Sequence, residues 1–292
     1  MAAPTERAVR DFVFRPIQKP EEFRHIEEVE RAAWGLRDEA PVPGSIQRAM
    51  QDNGGLVLGA FADIHLAGFA MGFLGWDGET LYHYSHRTAV RPEYQNHRLG
   101  FRLKCYQRDE VLRQGLALVR WVFDPLQSRT AFLHVRRLGA EVDRYHVHYY
   151  GQVDSDADRG MESDRVGVAW RVSTPRVEER LTGRLPSAEE DVRRWEKSVA
   201  IVETEPGETG LRVPSTVAEP TAPLAHLEIP FDLAALQEHD PAAARTWRHA
   251  VRDAFRAALD ARYAVEDFAV LSRDHERRSF YFLAQRPPAP SA

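Results

Sequence analysis

Residues 89–104 (AVRPEYQNHRLGFRLK) join the end of an aromatic, β-branched run to the start of a helical pattern through a turn rich in hydrogen-bond donors. The first turn of a helix leaves several backbone N–H groups unpaired, and the helix dipole adds partial positive charge there. A diphosphate can accept hydrogen bonds from those groups. The segment therefore predicts either a phosphate-binding loop or a basic turn that only caps a helix.

The hydrophobic pattern around this turn predicts alternating helices and strands from residue 11 to residue 172. A pair of apolar runs joined by a short turn indicates an antiparallel hairpin, and a nearly continuous apolar run is typical of a central strand. We predict helices at 20–35, 45–52, 98–115 and 128–139, and strands at 11–17, 55–62, 65–76, 80–90, 116–123, 140–151 and 164–172.

The composition changes after residue 172. Residues 213–225 (VPSTVAEPTAPLA) have the character of a proline-containing connector. A strong helix is predicted at 240–262 with Asp240 as its N-cap, followed by a hairpin of strands at 263–271 and 277–285. This region forms either a second small domain or an extension of the first sheet.

The bulk properties exclude several classes of protein. A net charge of −5 over 292 residues argues against a nucleic-acid partner, which needs a concentrated basic face. No apolar run is long enough to span a bilayer, and the first residues lack the apolar core of a signal peptide. We therefore expect a soluble, cytoplasmic protein without a membrane partner. The single cysteine, Cys105, excludes an intramolecular disulfide.

The turn and the order of elements carry a resemblance to a known family. Gln95 and Gly100 match the first and last positions of the loop pattern Q/R-x-x-G-x-G/A, while Arg98 stands where the middle glycine is usual. Residues 123–142 (FDPLQSRTAFLHVRRLGAEV) look like a fifth strand followed by a helix that ends in LG. The chain resembles the GNAT superfamily of acyl-CoA-dependent N-acyltransferases, and within it an uncharacterised branch of predicted acetyltransferases.

The resemblance implies a mixed α/β (α+β) fold with a mostly antiparallel, twisted sheet, helices on both faces and a C-terminal α/β extension. The domains are then a GNAT-like acyltransferase domain at 1–175 and an extension or small second domain at 176–292. The co-substrate is acetyl-CoA or a related acyl-CoA. The residues placed against it are Thr88, Ala89, Val90, Gln95, Asn96, His97, Arg98, Leu99, Gly100, Phe101, Arg102, Ser128 and Arg129.

Arg98 is the main departure from the family pattern. In place of glycine it either obstructs the diphosphate or binds it, since the guanidinium group suits phosphate geometry. We favour binding, because Arg102 lies one helical turn further along the same face.

Acyl transfer to an amine needs a base. His86 is the first candidate, because the ordinary pKa of histidine lies near neutral pH, and a structural histidine on a sheet face is the alternative. Asp124 is the second candidate, at the C-terminal end of the fifth strand, and an Asp-Pro turn is its alternative. Simple alternation along 80–90 places Tyr82, Tyr84, His86, Thr88 and Val90 on one face and His83, Ser85 and Arg87 on the other.

Two further roles do not transfer directly. The position that often holds the family's tyrosine acid is Val135 here. Tyr145, Tyr149 and Tyr150 are substitutes, although a half-buried aromatic strand also explains them. His146 and His148 share a strand face, but no third ligand is evident, so no metal site is expected.

These observations favour an enzyme that moves an acetyl or other short acyl group, such as succinyl, from acyl-CoA to the amine of a small molecule, for example an amino acid. A homodimer is among the assemblies that this reading allows. The alternative is a CoA-binding protein that keeps the fold without the chemistry and serves regulation or assembly. A nucleotide-binding module that uses the same loop is a third reading.

Overall fold

The computed structural model describes residues 11–35, 40–95, 97–151, 160–273 and 275–287. The chain divides into two compact units, Met1–Val119 (unit 1) and Arg120–Ala292 (unit 2). A compact unit is not necessarily a domain, so this division does not test the predicted domain boundary at residue 175. That boundary stays a prediction.

Unit 1 is built on an antiparallel meander. Strands β1 to β4 lie side by side in sequence order, each antiparallel to the next. The elements are β1 (Val13–Pro16), α1 (Pro20–Trp34), α2 (Gly44–Asp52), β2 (Leu56–Ala62), β3 (His65–Trp76), β4 (Leu81–Val90), a 3₁₀ turn (Pro92–Tyr94) and α3 (Leu99–Arg113).

The core of unit 1 has two layers, one on each face of the sheet. Phe69 and Met71 of β3 pack with Phe23 and other apolar residues of α1. Ala70, which points the opposite way, packs with Leu103 of α3. Because helices cover both faces, β2 and β3 are almost continuously apolar. The expected helices on both faces of the sheet are confirmed.

Unit 2 contains strands of three sheets. Strands β5, β7 and β6 are neighbours in that order; β12, β13, β11 and β8 form a four-stranded sheet, and β9 pairs with β10. The elements are β5 (Leu118–Phe123), α4 (Ser128–Ala131), a π-helical turn (Phe132–Arg137), β6 (Glu141–His146), β7 (Arg165–Arg171), α5 (Pro175–Leu181), α6 (Ala188–Lys197), β8 (Val199–Ala200), β9 (Val202–Pro206), β10 (Arg212–Val217), β11 (Leu224–Ile229), α7 (Leu233–His239), α8 (Pro241–Asp260), β12 (Tyr263–Arg273) and β13 (Glu276–Gln285).

Helix α8 has the predicted amphipathic form. The carboxylate of Asp240 accepts a hydrogen bond from the backbone N–H of Ala243 at 2.9 Å, which confirms it as the N-cap. Trp247, Val251 and Phe255 are fully buried on one face. The hairpin of β12 and β13 is also confirmed. No helix in the described part of the chain has the length and apolar character needed to cross a membrane.

Two sequence-based expectations for unit 2 are wrong. The expected connector at 213–225 contains most of β10, an edge-type strand in which Pro214 is tolerated because the pairing register shifts beside it. The strand expected at 140–151 ends at His146 and turns. The helix after β5 begins at Ser128, as predicted, and widens into a π-helical turn from Phe132. The observed fold is nevertheless the predicted mixed α/β type, with mostly antiparallel strand pairs.

Candidate functional site

The turn between β4 and α3 leaves an open helix N-terminus. Strand β4 runs into the 3₁₀ turn, and α3 begins at Leu99. Among the described residues no side chain caps α3, and its first turn contains no acidic residue. Its leading backbone N–H groups are therefore available to an anionic ligand.

Arg98 adopts the backbone conformation that glycine favours. As the N-cap of α3 it has φ 57° and ψ 18°, in the left-handed region. Its exposed guanidinium lies 5.4 Å from the centre of the Phe101 ring. The replacement of the usual glycine thus keeps the loop's backbone shape and adds a positive charge beside the helix N-terminus.

Neighbouring side chains hold the turn together. The Gln95 side-chain amide donates to the carbonyl of Val90 at 3.2 Å, and Nδ1 of His97 lies 2.9 Å from the carbonyl oxygen of Gln95. The Arg102 guanidinium lies 4.9 Å from the centre of the Phe14 ring. Asn96, also predicted to contact CoA, lies outside the described residues.

Strand β4 contains a β-bulge at the predicted base. Met71 of β3 pairs with Arg87, and the next residue, Gly72, pairs with Ser85, so that His86 is an extra residue in β4. The side chain of Ser85 meets α3, whereas that of Arg87 meets α1. The simple alternation expected along 80–90 is therefore wrong, because the bulge shifts the pattern by one residue and moves Arg87 to the opposite face from Ser85.

The imidazole of His86 sits against two aromatic rings. Its centre is 5.9 Å from that of Phe73 and 6.4 Å from that of Tyr84. Burial lowers the pKa of His86, and the positive charge of Arg87 lowers it further. A neutral imidazole can accept a proton, so the environment suits the predicted role of base.

The strand beyond the bulge carries the residues predicted to contact the pantetheine. Thr88, Ala89 and Val90 pair with Ala70, Phe69 and Gly68 of β3. Ala89 is buried, and the buried hydroxyl oxygen of Thr88 has no hydrogen-bond partner within the described residues. An unpaired buried hydroxyl is costly, so this atom is open to a ligand.

Asp124, Ser128 and Arg129 lie in unit 2. The carboxylate of Asp124 is bound by both terminal nitrogens of Arg248, each at 2.7 Å. Ser128 is buried and its hydroxyl lies 2.7 Å from that of Ser279, while Arg129 is exposed. These contacts give Asp124 and Ser128 structural partners, and their predicted site roles stay predictions.

Sequence reasoning missed the polar side chains that surround the bulge. Lys104 and Gln107 of α3 are buried, as is Glu30 of α1. A lysine and a glutamine three residues apart on the apolar side of a predicted helix were the available signal, because such a pair needs a buried partner.

His146 is the last residue of β6, and His148 follows it in the turn. The described residues contain no group of three or more histidine, cysteine or acidic side chains that could hold a metal ion. His148 lies in the turn after β6 with φ 53°, so it does not continue the strand face that carries His146.

Part of the chain matches a known family model. Residues 19–139 match the model of the Acetyltransferase (GNAT) family. This match covers less than half of the chain, and it makes residues 19–139 similar to the GNAT acetyltransferases, whose acyl donor is an acyl-CoA. The open N-terminus of α3, the exposed Arg98 and the unpaired hydroxyl of Thr88 are suited to such a donor.

Several solved acetyltransferases are similar to this chain. The ribosomal-protein-S18-alanine N-acetyltransferase of Escherichia coli is 18% identical, with 56% of this chain and 96% of that chain covered and a TM-score of 0.46. The putative acetyltransferase yncA of Salmonella typhimurium, solved with its cofactor acetyl-CoA, is 20% identical, with 56% of this chain and 95% of that chain covered and a TM-score of 0.44. Arabidopsis thaliana Naa50 with a bisubstrate analogue is 11% identical, with 54% of this chain and 97% of that chain covered and a TM-score of 0.43. No curated protein matches the sequence significantly.

Proposed function

We propose that this protein transfers an acetyl or other short acyl group from acyl-CoA to the amine of a small molecule, such as an amino acid, with His86 as the base. The observation that carries the proposal is the placement of His86 on a bulge of β4, the strand that leads directly into the uncapped N-terminus of α3. One continuous segment thus supplies a proton acceptor and an anion-binding helix end.

The residues divide the work as follows. The backbone N–H groups at the start of α3 and the Arg98 guanidinium bind the diphosphate, while Thr88 to Val90 lie along the pantetheine. The acyl-CoA supplies the thioester. His86 accepts the proton that the amine nitrogen loses as it bonds to the acyl carbon. The carbon–sulfur bond breaks, its electron pair leaves with the sulfur, and a solvent proton neutralises the thiolate.

The aromatic rings beside His86 indicate which kind of amine the site favours as acceptor. Phe73 is 38% exposed, and both its ring and that of Tyr84 flank the imidazole. An amine that reaches His86 passes along these rings. An acceptor with an apolar or aromatic group beside its amine therefore gains contact area that a fully polar amine lacks.

Thermal unfolding with acetyl-CoA, CoA and ATP tests the binding half of the proposal. A ligand at about one hundred times its dissociation constant adds about 2.7 kcal/mol to the unfolding free energy. We expect a rise in Tm with both CoA species and none with ATP. No rise with either CoA species would overturn the proposal.

Release of free thiol in the presence of a panel of primary amines tests the chemical half. We expect His86→Gln to lower kcat about hundredfold, the lower end of the usual effect of removing a general base, without weakening CoA binding. His65→Gln, which changes an exposed histidine at the start of β3, is the matched control. CoA binding without thiol release on any amine would favour the non-catalytic alternative.

A further inference from the structure

Buried polar side chains of α3 form hydrogen bonds with β4 next to the bulge at His86. The Lys104 ammonium donates to the hydroxyl of Ser85 at 2.7 Å and to Oε1 of Gln107 at 3.1 Å. The Ser85 hydroxyl in turn donates to Oε1 of Gln107 at 3.0 Å. Lys104 is 3% and Ser85 4% exposed. The residue immediately before His86 is therefore fixed to α3 by a closed triangle of hydrogen bonds.

His83 extends this cluster along β4. The amide of Gln107 donates to Nε2 of His83 at 3.1 Å, so the ring proton sits on Nδ1, which is buried without a partner in the described residues. Burial lowers the pKa of His83 to about 3, with a further contribution from Lys104. Burial likewise lowers the pKa of Lys104 to about 7. Burying His83, Lys104 and Gln107 costs desolvation free energy that apolar side chains in the same place would not cost.

The residue immediately after His86 is held from the opposite face. The Arg87 guanidinium lies 3.0 Å from Oε1 of Glu30, which is fully buried in α1. The second carboxylate oxygen of Glu30 accepts the backbone N–H of Val42 at 3.0 Å. The same guanidinium lies 5.4 Å from the centre of the Trp34 ring. Glu30 thus fixes Arg87 to α1.

The contacts of Ser85 with α3 and of Arg87 with α1 restrain a part of β4 that strand pairing alone leaves loose. A bulge leaves one residue unpaired in the strand ladder, so the ladder alone does not fix its position. Replacing buried ionic groups by apolar ones is often neutral or stabilising, whereas their best-attested use is to specify one register. Here Ser85 and Arg87 flank the unpaired residue and are tied to helices on opposite faces.

We propose that Lys104 and Glu30 are positioning residues which, through Ser85 and Arg87, fix the β4 bulge and so hold the His86 imidazole in its working orientation. This role rests on the proposed function of His86. In this proposal neither Lys104 nor Glu30 contacts the acceptor or the acyl group; each acts through the strand residue that it binds. Together they act as a clamp on the backbone that carries the base.

Two variants test the clamp separately from each face. Lys104→Met leaves Ser85 and Gln107 bonded to each other, and Glu30→Gln keeps a side chain of the same size. For each variant we expect kcat to fall about tenfold, which corresponds to about 1.4 kcal/mol, while KM for acetyl-CoA changes less than about twofold. The ring resonances of His86, assigned with His86→Gln, should also titrate at a different pH from wild type.

Two controls separate positioning from simple loss of stability. Tyr263→Phe removes a hydrogen bond to the carbonyl of Ala222 in unit 2 and should lower Tm without altering kcat or the His86 titration. Ser85→Thr keeps the hydroxyl and should retain activity that Ser85→Ala loses. If both clamp variants keep kcat within about twofold and His86 titrates as in wild type, the clamp is overturned. If the wild type acylates no amine, the proposed function fails, and the His86 titration alone still decides the clamp.

Discussion

Both terminal guanidinium nitrogens of Arg248 lie 2.7 Å from the two carboxylate oxygens of Asp124, in a bidentate pair that is almost wholly buried. One of those oxygens also accepts the backbone N–H of Leu126 at 2.9 Å. Three hydrogen bonds from structural partners therefore reach this carboxylate. This arrangement ties the loop after β5 to α8 within unit 2, and the role of Asp124 as a base stays a prediction.

Asp124→Asn should be strongly destabilising, because it leaves the buried Arg248 charge without its partner. We expect the unfolding free energy to fall by about 3–5 kcal/mol, measured by urea denaturation. Glu141→Gln breaks the exposed pair with Arg171 and should cost less than about 1 kcal/mol. An unchanged urea midpoint for Asp124→Asn would show that the pair is not structural.

Arg98→Gly separates the backbone and charge effects of this position. Glycine relieves a left-handed conformation that costs other residues about 1–2 kcal/mol, which offsets its greater unfolded-state entropy. We therefore expect Tm to stay level or rise, while the loss of a charge-assisted contact raises the Kd for CoA about tenfold. Arg108→Gly, inside α3, should instead cost about 1 kcal/mol. Tighter CoA binding by Arg98→Gly would mean that Arg98 obstructs the site.

His83 should make the protein sensitive to acid. Its pKa is lowered from 6.5 to about 3 in the fold, so between these values the unfolded chain binds a proton that the folded protein does not. Stability is then complete above pH 6.5 and is lost as the pH falls toward 3, by up to about 1.4 kcal/mol per pH unit. His83→Gln should flatten urea-derived stability over this range. The exposed-site variant His65→Gln should keep the wild-type slope, and equal slopes for all three proteins would rule out this role for His83.

Gly72 faces the bulge and has no room for a side chain. A Cβ at this position would lie 2.2 Å from the carbonyl oxygen of Tyr84 and 2.5 Å from Nε2 of His83. Gly72→Ala should lower the unfolding free energy by about 1–3 kcal/mol through forced displacement of β4. At Gly44 the added methyl would lie 3.2 Å from Cβ of Phe23, so Gly44→Ala should have a smaller effect. Equal stability of the two variants would contradict the tight packing at the bulge.

The sequence predicted those parts of the fold that depend on local patterns. The hairpin of β2 and β3, the helix behind residues 95–98 and the Asp240 cap follow from periodicity and capping chemistry, and they are confirmed. The bulge at His86 was not predictable, because it depends on how β4 registers against Gly72. The pairing of Asp124 with Arg248 was not predictable either, because the two residues are 124 positions apart in the sequence. Short strands such as β8 lack enough residues to show a period.

The π-helical turn at Phe132–Arg137 changes which side chain lies one helical turn before Gly139. The backbone N–H of Leu138 donates to the carbonyl of Leu133, five residues back, at 3.0 Å. Each such turn holds one residue more than an α-helical turn. Counting four residues back from Gly139 therefore reaches Val135, which is fully buried, whereas one turn back through this wider helix is His134.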